Sequence, residues 1–349
     1  MKRDFRHSRE ESRHSREESR HSREESRHSR EESRHSREGG KPAKQRGVAV
    51  VTAILVVAVA ASTAAWMLAQ QSATLNQTAL AASRAQADLF AQAGLDWARG
   101  ILAEDARAGG ADTLAEGWAQ PLAGLSVERA VVSGAIADAQ SRFNLNNVVA
   151  NGRRSDADVA ILSRLLESLA LDPALASAVL DWVDGDQDLS GNGGAEDAYY
   201  LSLARPYRAA NRPLVQVEEL HAIRGFDAKA VAALRPFVTA LPARTTVNAN
   251  TAPPEVLAAI LPTVAREKLR ELATERRAKP FKDRADLRTR LEGAPAATVD
   301  ASLDVKSDHF LVQVGVSQDD VQVATESLVA RAEPGKSPAT AIIWRRALY

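Results

Sequence analysis

The first apolar stretch of the chain is long enough to cross a membrane. An uncharged run extends from Gly47 to Ser83, and its first 22 residues, 48–69, are strongly apolar. A membrane-spanning helix needs about 20 such residues. Three basic residues precede the run, namely Lys41, Lys44 and Arg46. Their position predicts a cytoplasmic N-terminus and a translocated C-terminal part.

An ordinary secretory signal is the alternative, because Ala58-Val59-Ala60 fits a small-residue cleavage site. The sequence beyond Ala69 disfavours it, since apolar residues there recur at helical spacing without a break. The pattern predicts one helix of about 55 residues, apolar over 48–69 and amphipathic over 70–105. The apolar positions of the second half are Leu89, Phe90, Ala93, Gly94, Trp97 and Ile101.

Strand-like segments stand on both sides of a helical middle. The predicted strands cover 125–136, 310–316, 321–331 and 341–344. This order predicts an α+β fold, in which the long helix packs on an antiparallel sheet and a large all-helical domain is inserted between strands. The expected divisions are a first β part at 106–147, the inserted domain at 148–302 and the C-terminal strands at 303–349.

Charge is balanced over the whole chain but not along it. The 349 residues contain 45 Lys or Arg and 45 Asp or Glu. Residues 1–47 hold 15 basic and 10 acidic residues, a net of +5, so the remainder carries −5. Five copies of Arg-His-Ser-Arg-Glu fill most of this leader, and their lack of apolar positions predicts disorder rather than a coiled coil. The absence of cysteine excludes disulfides and thiolate chemistry.

Residues 165–204 contain eight acidic side chains and neither Lys nor Arg. Hard oxygen ligands with no histidine nearby favour Ca²⁺ over zinc. The segment from Asp184 resembles the opening of an EF-hand loop, but Leu189 and Ala195 stand at its sixth and twelfth positions, so a different calcium loop is expected. A solvated acidic loop is the alternative. The ligand candidates are Asp184, Asp186, Asp188, Glu196 and Asp197, with Asp181 and Asn192 as second choices.

Two units of the helical middle, at 214–241 and from residue 248 onward, resemble helix-hairpin-helix modules of DNA uptake and repair proteins. The second unit is basic, and such modules present backbone N–H groups to DNA phosphate. Its hairpin, 261–265, contains no glycine, and the first unit lies beside the acidic segment. A membrane-anchored DNA-binding protein is therefore the disfavoured alternative, and no nucleic acid partner is expected.

The leader and the long helix together resemble type IV pilins and pseudopilins. A basic leader ends in Gly47, and an apolar helix starts at Val48. Thr52 stands at the fifth position after the glycine, where most members of that family have glutamate. This departure and several later segments resemble the protein K minor pseudopilins of type II secretion. The segments are Ala93–Ala98, Asp138–Asn147, Asp181–Asp186, Gly194–Asp197, Tyr200-Leu201, Pro206–Arg208, Asn211–Leu214 and Val247–Ala252.

The resemblance implies cleavage by a prepilin peptidase directly after Gly47, with Val48 as the mature N-terminus, and methylation during maturation. It implies calcium binding in the acidic region and a single inner-membrane span with the bulk of the chain in the periplasm. The implied partners are the minor pseudopilins I and J. Because Thr52 carries no charge and the insertion is bulky, a position at the pseudopilus tip is expected, where the protein initiates assembly for export of folded proteins across the outer membrane.

No enzymatic activity is expected from the sequence. Outside the repeat the chain has two histidines, His221 and His309, and neither stands in a catalytic motif.

Overall fold

The structure, a computed structural model, describes residues 46–332, 335–337 and 339–348. The predicted leader repeat and the predicted turn residue Pro334 lie outside the described residues. The first element is α1 (Arg46–Ala108), a helix of 63 residues. Among the described helices, α1 alone is long and apolar enough to cross a membrane, with a mean hydropathy of 2.4 in its most apolar window. A single-pass membrane anchor is consistent with this length and composition.

The chain divides into two compact units, with the boundary after Thr74 inside α1. The second unit is built on a five-stranded antiparallel sheet whose spatial order is the chain order, β1-β2-β3-β4-β5. The strands are β1 (Leu122–Val127), β2 (Ala130–Asp138), β3 (His309–Gln318), β4 (Val321–Arg331) and β5 (Thr340–Leu348). Adjacent antiparallel strands are usually joined by short hairpins, but residues 139–308 intervene between β2 and β3.

The prediction of one strand over 125–136 is wrong, because the chain reverses at Glu128 and Arg129 to form the β1–β2 hairpin. Glu128 adopts a φ of 53° at this turn. A non-glycine residue in that left-handed region gives no compositional signal of a turn. Residues 125–136 therefore have the pattern of one continuous strand, although they belong to two antiparallel strands.

The C-terminal half of α1 packs on one face of the sheet. Its buried side chains recur every three or four residues, so they form one stripe. They are Ala87, Ala91, Leu95, Ala98 and Leu102, and they contact the sheet residues Val132, Phe310, Val312, Val314 and Val316. Gly94 permits the close approach, because a Cβ there would lie 2.9 Å from Cγ1 of Val314. The predicted pilin-like α+β fold is confirmed.

The insertion between β2 and β3 consists mainly of short helices around one apolar core. The helices are α2 (Asp156–Ser168), α3 (Leu175–Val183), α4 (Asp197–Tyr200), α5 (Ala228–Leu234), α6 (Pro254–Ile260), α7 (Arg266–Glu275), α8 (Arg284–Arg290) and α9 (Ala296–Ser302). The 3₁₀ turns of the insertion are Ala139–Ser141, Leu145–Val148, Val217–Ala222 and Arg235–Phe237, and a further one, Gly117–Ala119, precedes β1.

The insertion is not purely helical, since three pairs of two-residue strands lie within it. The pairs are Phe143–Asn144 with Val238–Thr239, Val149–Ala150 with Arg153–Arg154, and Val247–Asn248 with Leu303–Asp304. Both parallel pairs join segments distant in sequence: one ties the start of the insertion to its middle, and the other ties the middle to its end.

The second predicted helix-hairpin-helix unit corresponds to α6 and α7. Part of its basic surface is paired within α7, where Lys268 contacts Glu271 at 3.6 Å and Arg270 contacts Glu267 at 4.0 Å. Such exposed pairs contribute little stability. They do reduce the net positive charge that this face offers to a phosphate backbone.

Candidate metal centre

Two helix ends bring the acidic side chains of the insertion together. Helix α3 ends at Val183 because Asp184 takes an extended conformation, with φ −71° and ψ 170°. The chain then loops back to α4, where Glu196 is the extended residue preceding the helix. The buried face of α3, including Leu180 and Trp182, fixes this end against the domain core. The loop 184–196 therefore starts and finishes at anchored positions.

Asp184, Asp186 and Glu196 converge at this point. Each offers one carboxylate oxygen, and these oxygens all lie within 4.8 Å of one another. Glu196 is buried, and neither of its carboxylate oxygens has a hydrogen-bond partner among the described residues. Oδ1 of Asp184 is likewise buried and unpaired within the part of the chain that the structure describes. Buried carboxylate oxygens without partners are costly, and a calcium ion requires such converging oxygens.

The pKa values of the clustered carboxyl groups also favour a bound cation. Burial, assisted by repulsion from the neighbouring carboxylates of Asp181 and Asp184, raises the pKa of Glu196 to about 8. Burial also raises the pKa of Asp184 to about 6, assisted by repulsion from Asp186. Both groups therefore resist ionisation unless a cation offsets the mutual repulsion.

Asp181 holds the loop 184–196 through hydrogen bonds to its backbone. It is fully buried, and its Oδ1 and Oδ2 accept hydrogen bonds from the Ser190 N–H at 3.1 and 3.3 Å. The loop passes so close that a Cβ on Gly194 would lie 2.2 Å from Asp181 Oδ2. A glycine is required at that position for steric reasons, and the carboxylate of Asp181 is already engaged in holding the loop.

The structure separates the other candidates from the cluster. Asp188 is exposed, and its N–H donates to Asp186 Oδ1 at 2.9 Å. Asp197 accepts from the Ala209 N–H at 3.0 Å and forms an ion pair with Arg208 at 3.0 Å, so both of its oxygens have partners. Asn192 is exposed. Three of the five first-choice ligands are thus brought together.

Asn211 is a further candidate ligand that the sequence pattern did not predict. Its side-chain oxygen is buried without a partner among the described residues. Its N–H donates to the Trp182 carbonyl at 3.0 Å, which places its backbone beside the end of α3. Its φ of 47° lies in the left-handed region, where asparagine is more frequent than most residues. The combination of that conformation with an unpaired oxygen is visible only in the folded chain.

A second acidic group, Asp105, Asp112 and Glu116, has its own counter-charge. Arg331 contacts Asp105 at 2.5 Å and Asp112 at 2.6 Å. Glu116 accepts from the Trp118 indole N–H at 2.9 Å. Arg331 lies in β4, more than two hundred residues after Asp105 and Asp112 in the chain. No local sequence pattern therefore predicts this cluster. Arg331 offsets one of the three negative charges, and burial together with the neighbouring Glu116 carboxylate raises the pKa of Asp105 to about 6.

Comparison with known proteins identifies the family. Residues 141–243 and 247–306 match two family profiles, both described as type II secretion system (T2SS), protein K. The type II secretion system protein K of Pseudomonas aeruginosa is 32% identical over 303 residues, which cover 84% of this chain and 90% of the relative. That of Aeromonas hydrophila is 30% identical, with 84% and 95% coverage.

The solved structure of the GspK-GspI-GspJ complex from enterotoxigenic Escherichia coli shares the fold. One of its chains matches with a TM-score of 0.67 at 24% identity, covering 76% of this chain and 96% of that one. The fold, the family profiles and the relatives agree with the resemblance read from the sequence. This chain belongs to the type II secretion system protein K family of minor pseudopilins.

Proposed function

We propose that this minor pseudopilin occupies the tip of the periplasmic pseudopilus and initiates its assembly, in support of the export of folded proteins across the outer membrane. The observation that carries the proposal is the insertion of residues 139–308 between two strands that are hydrogen-bonded neighbours. The sheet itself needs only a short turn there. The insertion has its own apolar core, and its volume would sterically block another subunit from stacking above it.

Thr52 supports the same position. Its hydroxyl donates within its own helix, to the carbonyl oxygens of Val48 and Ala49, both at 3.0 Å. The side chain is therefore satisfied without a neighbouring subunit. In pseudopilins that have glutamate here, the carboxylate is expected to pair with a neighbour's N-terminus. A tip subunit has no subunit above it to pair with.

The proposed partners are the minor pseudopilins I and J, because the related solved complex contains GspI and GspJ beside GspK. We place the protein in the inner membrane by α1, with its N-terminus cytoplasmic and its bulk periplasmic, on the basis of Lys41, Lys44 and Arg46 before the apolar stretch. Maturation by a prepilin peptidase after Gly47 produces Val48 as the methylated N-terminus. The protein acts by assembly and not by catalysis.

Calcium belongs to this proposal as a structural ion. The unpaired buried oxygens of Asp184 and Glu196, together with Asp186, fit a hard divalent cation. Bound there, calcium supplies the positive charge that the loop 184–196 lacks. The chain's own residues do the remainder, since Asp181 holds the loop by the Ser190 N–H.

The test replaces residues 139–308 by a two-residue turn in cells whose own protein K is removed. Loss of secretion and of pseudopilus assembly, at unchanged membrane abundance of the shortened protein, is the expected result. Protease resistance of the shortened protein's sheet is measured in parallel as the check on folding. Unchanged pseudopilus length and secretion, with the sheet intact, would overturn the tip position.

A further inference from the structure

A cavity of about 360 Å³ lies between the sheet and the inserted domain. Its floor is the sheet face turned away from α1, where strand register aligns two rows of side chains. The apolar row is Leu311, Leu328 and Trp344, and the polar row is Gln313, Glu326 and Arg346. The walls come from the insertion and include Val215, Glu218, Arg235 and, near the end of β2, Arg142.

The two carboxylates of this cavity are already paired. Glu326 accepts from Gln313 Nε2 at 2.9 Å and from Arg346 Nη2 at 2.6 Å. Glu218 accepts from Arg346 Nη1 at 2.9 Å and also forms an ion pair with Arg235. Two glutamates are therefore matched by two arginines, and each of their four carboxylate oxygens accepts a hydrogen bond from a side chain other than Arg142.

Arg142 is the third cation of this cavity. It is partly buried and lines the cavity, but its guanidinium makes no hydrogen bond or ion pair with the residues that the structure describes. Burial lowers its pKa, and the nearby carboxylates of Glu326 and Asp138, which do not hydrogen-bond to it, offset this only in part. Arg205, which also lacks such a partner within the described chain, is by contrast exposed to solvent. The guanidinium nitrogens of Arg142 are not fully shielded from solvent, so an acceptor that enters the cavity can reach their N–H donors.

We propose that this cavity binds a single carboxylate group, with the Arg142 guanidinium as its hydrogen-bonding partner. A planar guanidinium matches a carboxylate at two points. Three arginines against two glutamates leave a net charge of +1, which suits a monoanion better than a phosphate dianion. The apolar row formed by Leu311, Leu328 and Trp344 provides contact for a short aliphatic stem.

Two sources carry this chemistry, an acidic side chain of another polypeptide and a free aliphatic carboxylic acid. The assignment goes beyond the proposed function and does not rest on it, because the cavity and its unpaired arginine exist in the single chain. If the tip position is disproved, the carboxylate site is unaffected. If the carboxylate site is disproved, the tip position is unaffected.

The experiment measures binding of small probes to the full chain in detergent by ligand-observed NMR. The probes are N-acetyl-glutamate α-amide, its neutral counterpart N-acetyl-glutamine amide, butyrate and inorganic phosphate. We expect saturable binding of the glutamate probe with a dissociation constant on the order of 1 mM, and none of the glutamine probe. Equal binding of butyrate assigns the site to free carboxylic acids, whereas binding of the glutamate probe alone assigns it to a side chain.

Arg142→Gln is expected to weaken glutamate-probe binding about tenfold or more, and Arg205→Gln is the matched control that leaves it unchanged. Arg142→Lys keeps the positive charge but loses the two-point guanidinium geometry, so we expect intermediate affinity. If Arg142→Gln lowers the Tm of the protein, Arg142→Lys is used in its place. The proposal is overturned if neither carboxylate probe saturates, if the glutamine probe or phosphate binds as tightly as the glutamate probe, or if folded Arg142 variants bind like the parent.

Discussion

The side-chain amide of Asn248 donates to Oδ2 of Asp138 at 3.0 Å, so the insertion is fastened to the very end of β2. The same amide also donates to Oγ of Ser307 at 3.0 Å, just before β3 begins. Ser307 in turn donates to Asp138 Oδ2 at 2.7 Å. The points where the chain leaves the sheet and returns to it are thus joined through one buried carboxylate.

Asn248→Ala should destabilise the folded part that contains the sheet and the insertion by about 2–3 kcal/mol, because it leaves buried acceptors on Asp138 and Asp112 with fewer donors. The measurement is chemical denaturation of the full chain in detergent, followed by fluorescence. Gln322→Ala, an exposed position on β4, is the matched control and should change the free energy of unfolding by less than about 0.5 kcal/mol. Equal effects of the two substitutions would contradict the joining role.

Stability should fall as pH rises through the range in which Asp138 ionises. Burial raises the pKa of Asp138 to about 6 from an ordinary 3.8. The folded state therefore binds a proton that the unfolded state has released, so the stabilisation is fully present below about pH 4 and is lost by about pH 6. This amounts to about 3 kcal/mol. Asp138→Asn should flatten that slope in denaturation curves measured from pH 4 to 7, and an unchanged slope would exclude Asp138 as its source.

Glu196→Gln should abolish the calcium response of the protein. In the parent chain, calcium at about 100 times its dissociation constant should add nearly 3 kcal/mol to the free energy of unfolding. Asp188→Asn is the matched control, since that carboxylate lies outside the cluster formed with Asp184 and Asp186. Thermal melts after chelation and after calcium addition distinguish the two variants. A parent chain whose Tm ignores calcium would falsify the metal assignment.

Calcium binding at pH 7 should release about one proton. The pKa of Glu196, raised to about 8 by burial, keeps that carboxyl largely protonated without metal, and a calcium ligand must be ionised. Affinity should therefore rise with pH up to about 8. Calorimetric titrations in two buffers with different ionisation enthalpies report the proton count directly. Identical heats in both buffers would mean that Glu196 is already ionised before calcium arrives.

Thr52→Glu should reduce incorporation into the pseudopilus. An unpaired charged group inside an apolar membrane segment costs about 3 kcal/mol, and a tip subunit has no N-terminus above to pair with it. Thr52→Val is the matched control, because among the described residues the hydroxyl of Thr52 bonds to carbonyl oxygens of its own helix alone. Crosslinking to minor pseudopilin I and secretion assays provide the measurement. Stronger assembly with glutamate would place a neighbouring N-terminus within its reach and contradict the tip position.

The sequence predicts those parts of the fold whose signal is periodic. The amphipathic half of α1 and strands β3 and β4 follow from spacing alone, since one face of each is buried. The β1–β2 hairpin was missed because Glu128, rather than glycine, takes the left-handed turn conformation.

The candidate site was predicted in part for a similar reason. Composition identified the acidic loop, but it does not distinguish Glu196, whose oxygens are unpaired within the described chain, from Asp197, which is held by Arg208 and the Ala209 N–H. Arg142 likewise has no hydrogen-bond partner within the described chain because Glu218 and Glu326 pair with other arginines. Such partners are long-range and leave no local pattern.

The separation of β2 from β3 has a kinetic consequence. Gly134 pairs with Val314, so the centre of the sheet joins positions 180 residues apart. Closing so long a loop in an unstructured chain is entropically unfavourable and slow. If the insertion folds first, Asn248 and Ser307 are positioned to bond Asp138, and the chain segments that enter β2 and β3 then start close together. In that order of events the inserted domain shortens the loop that the sheet has to close.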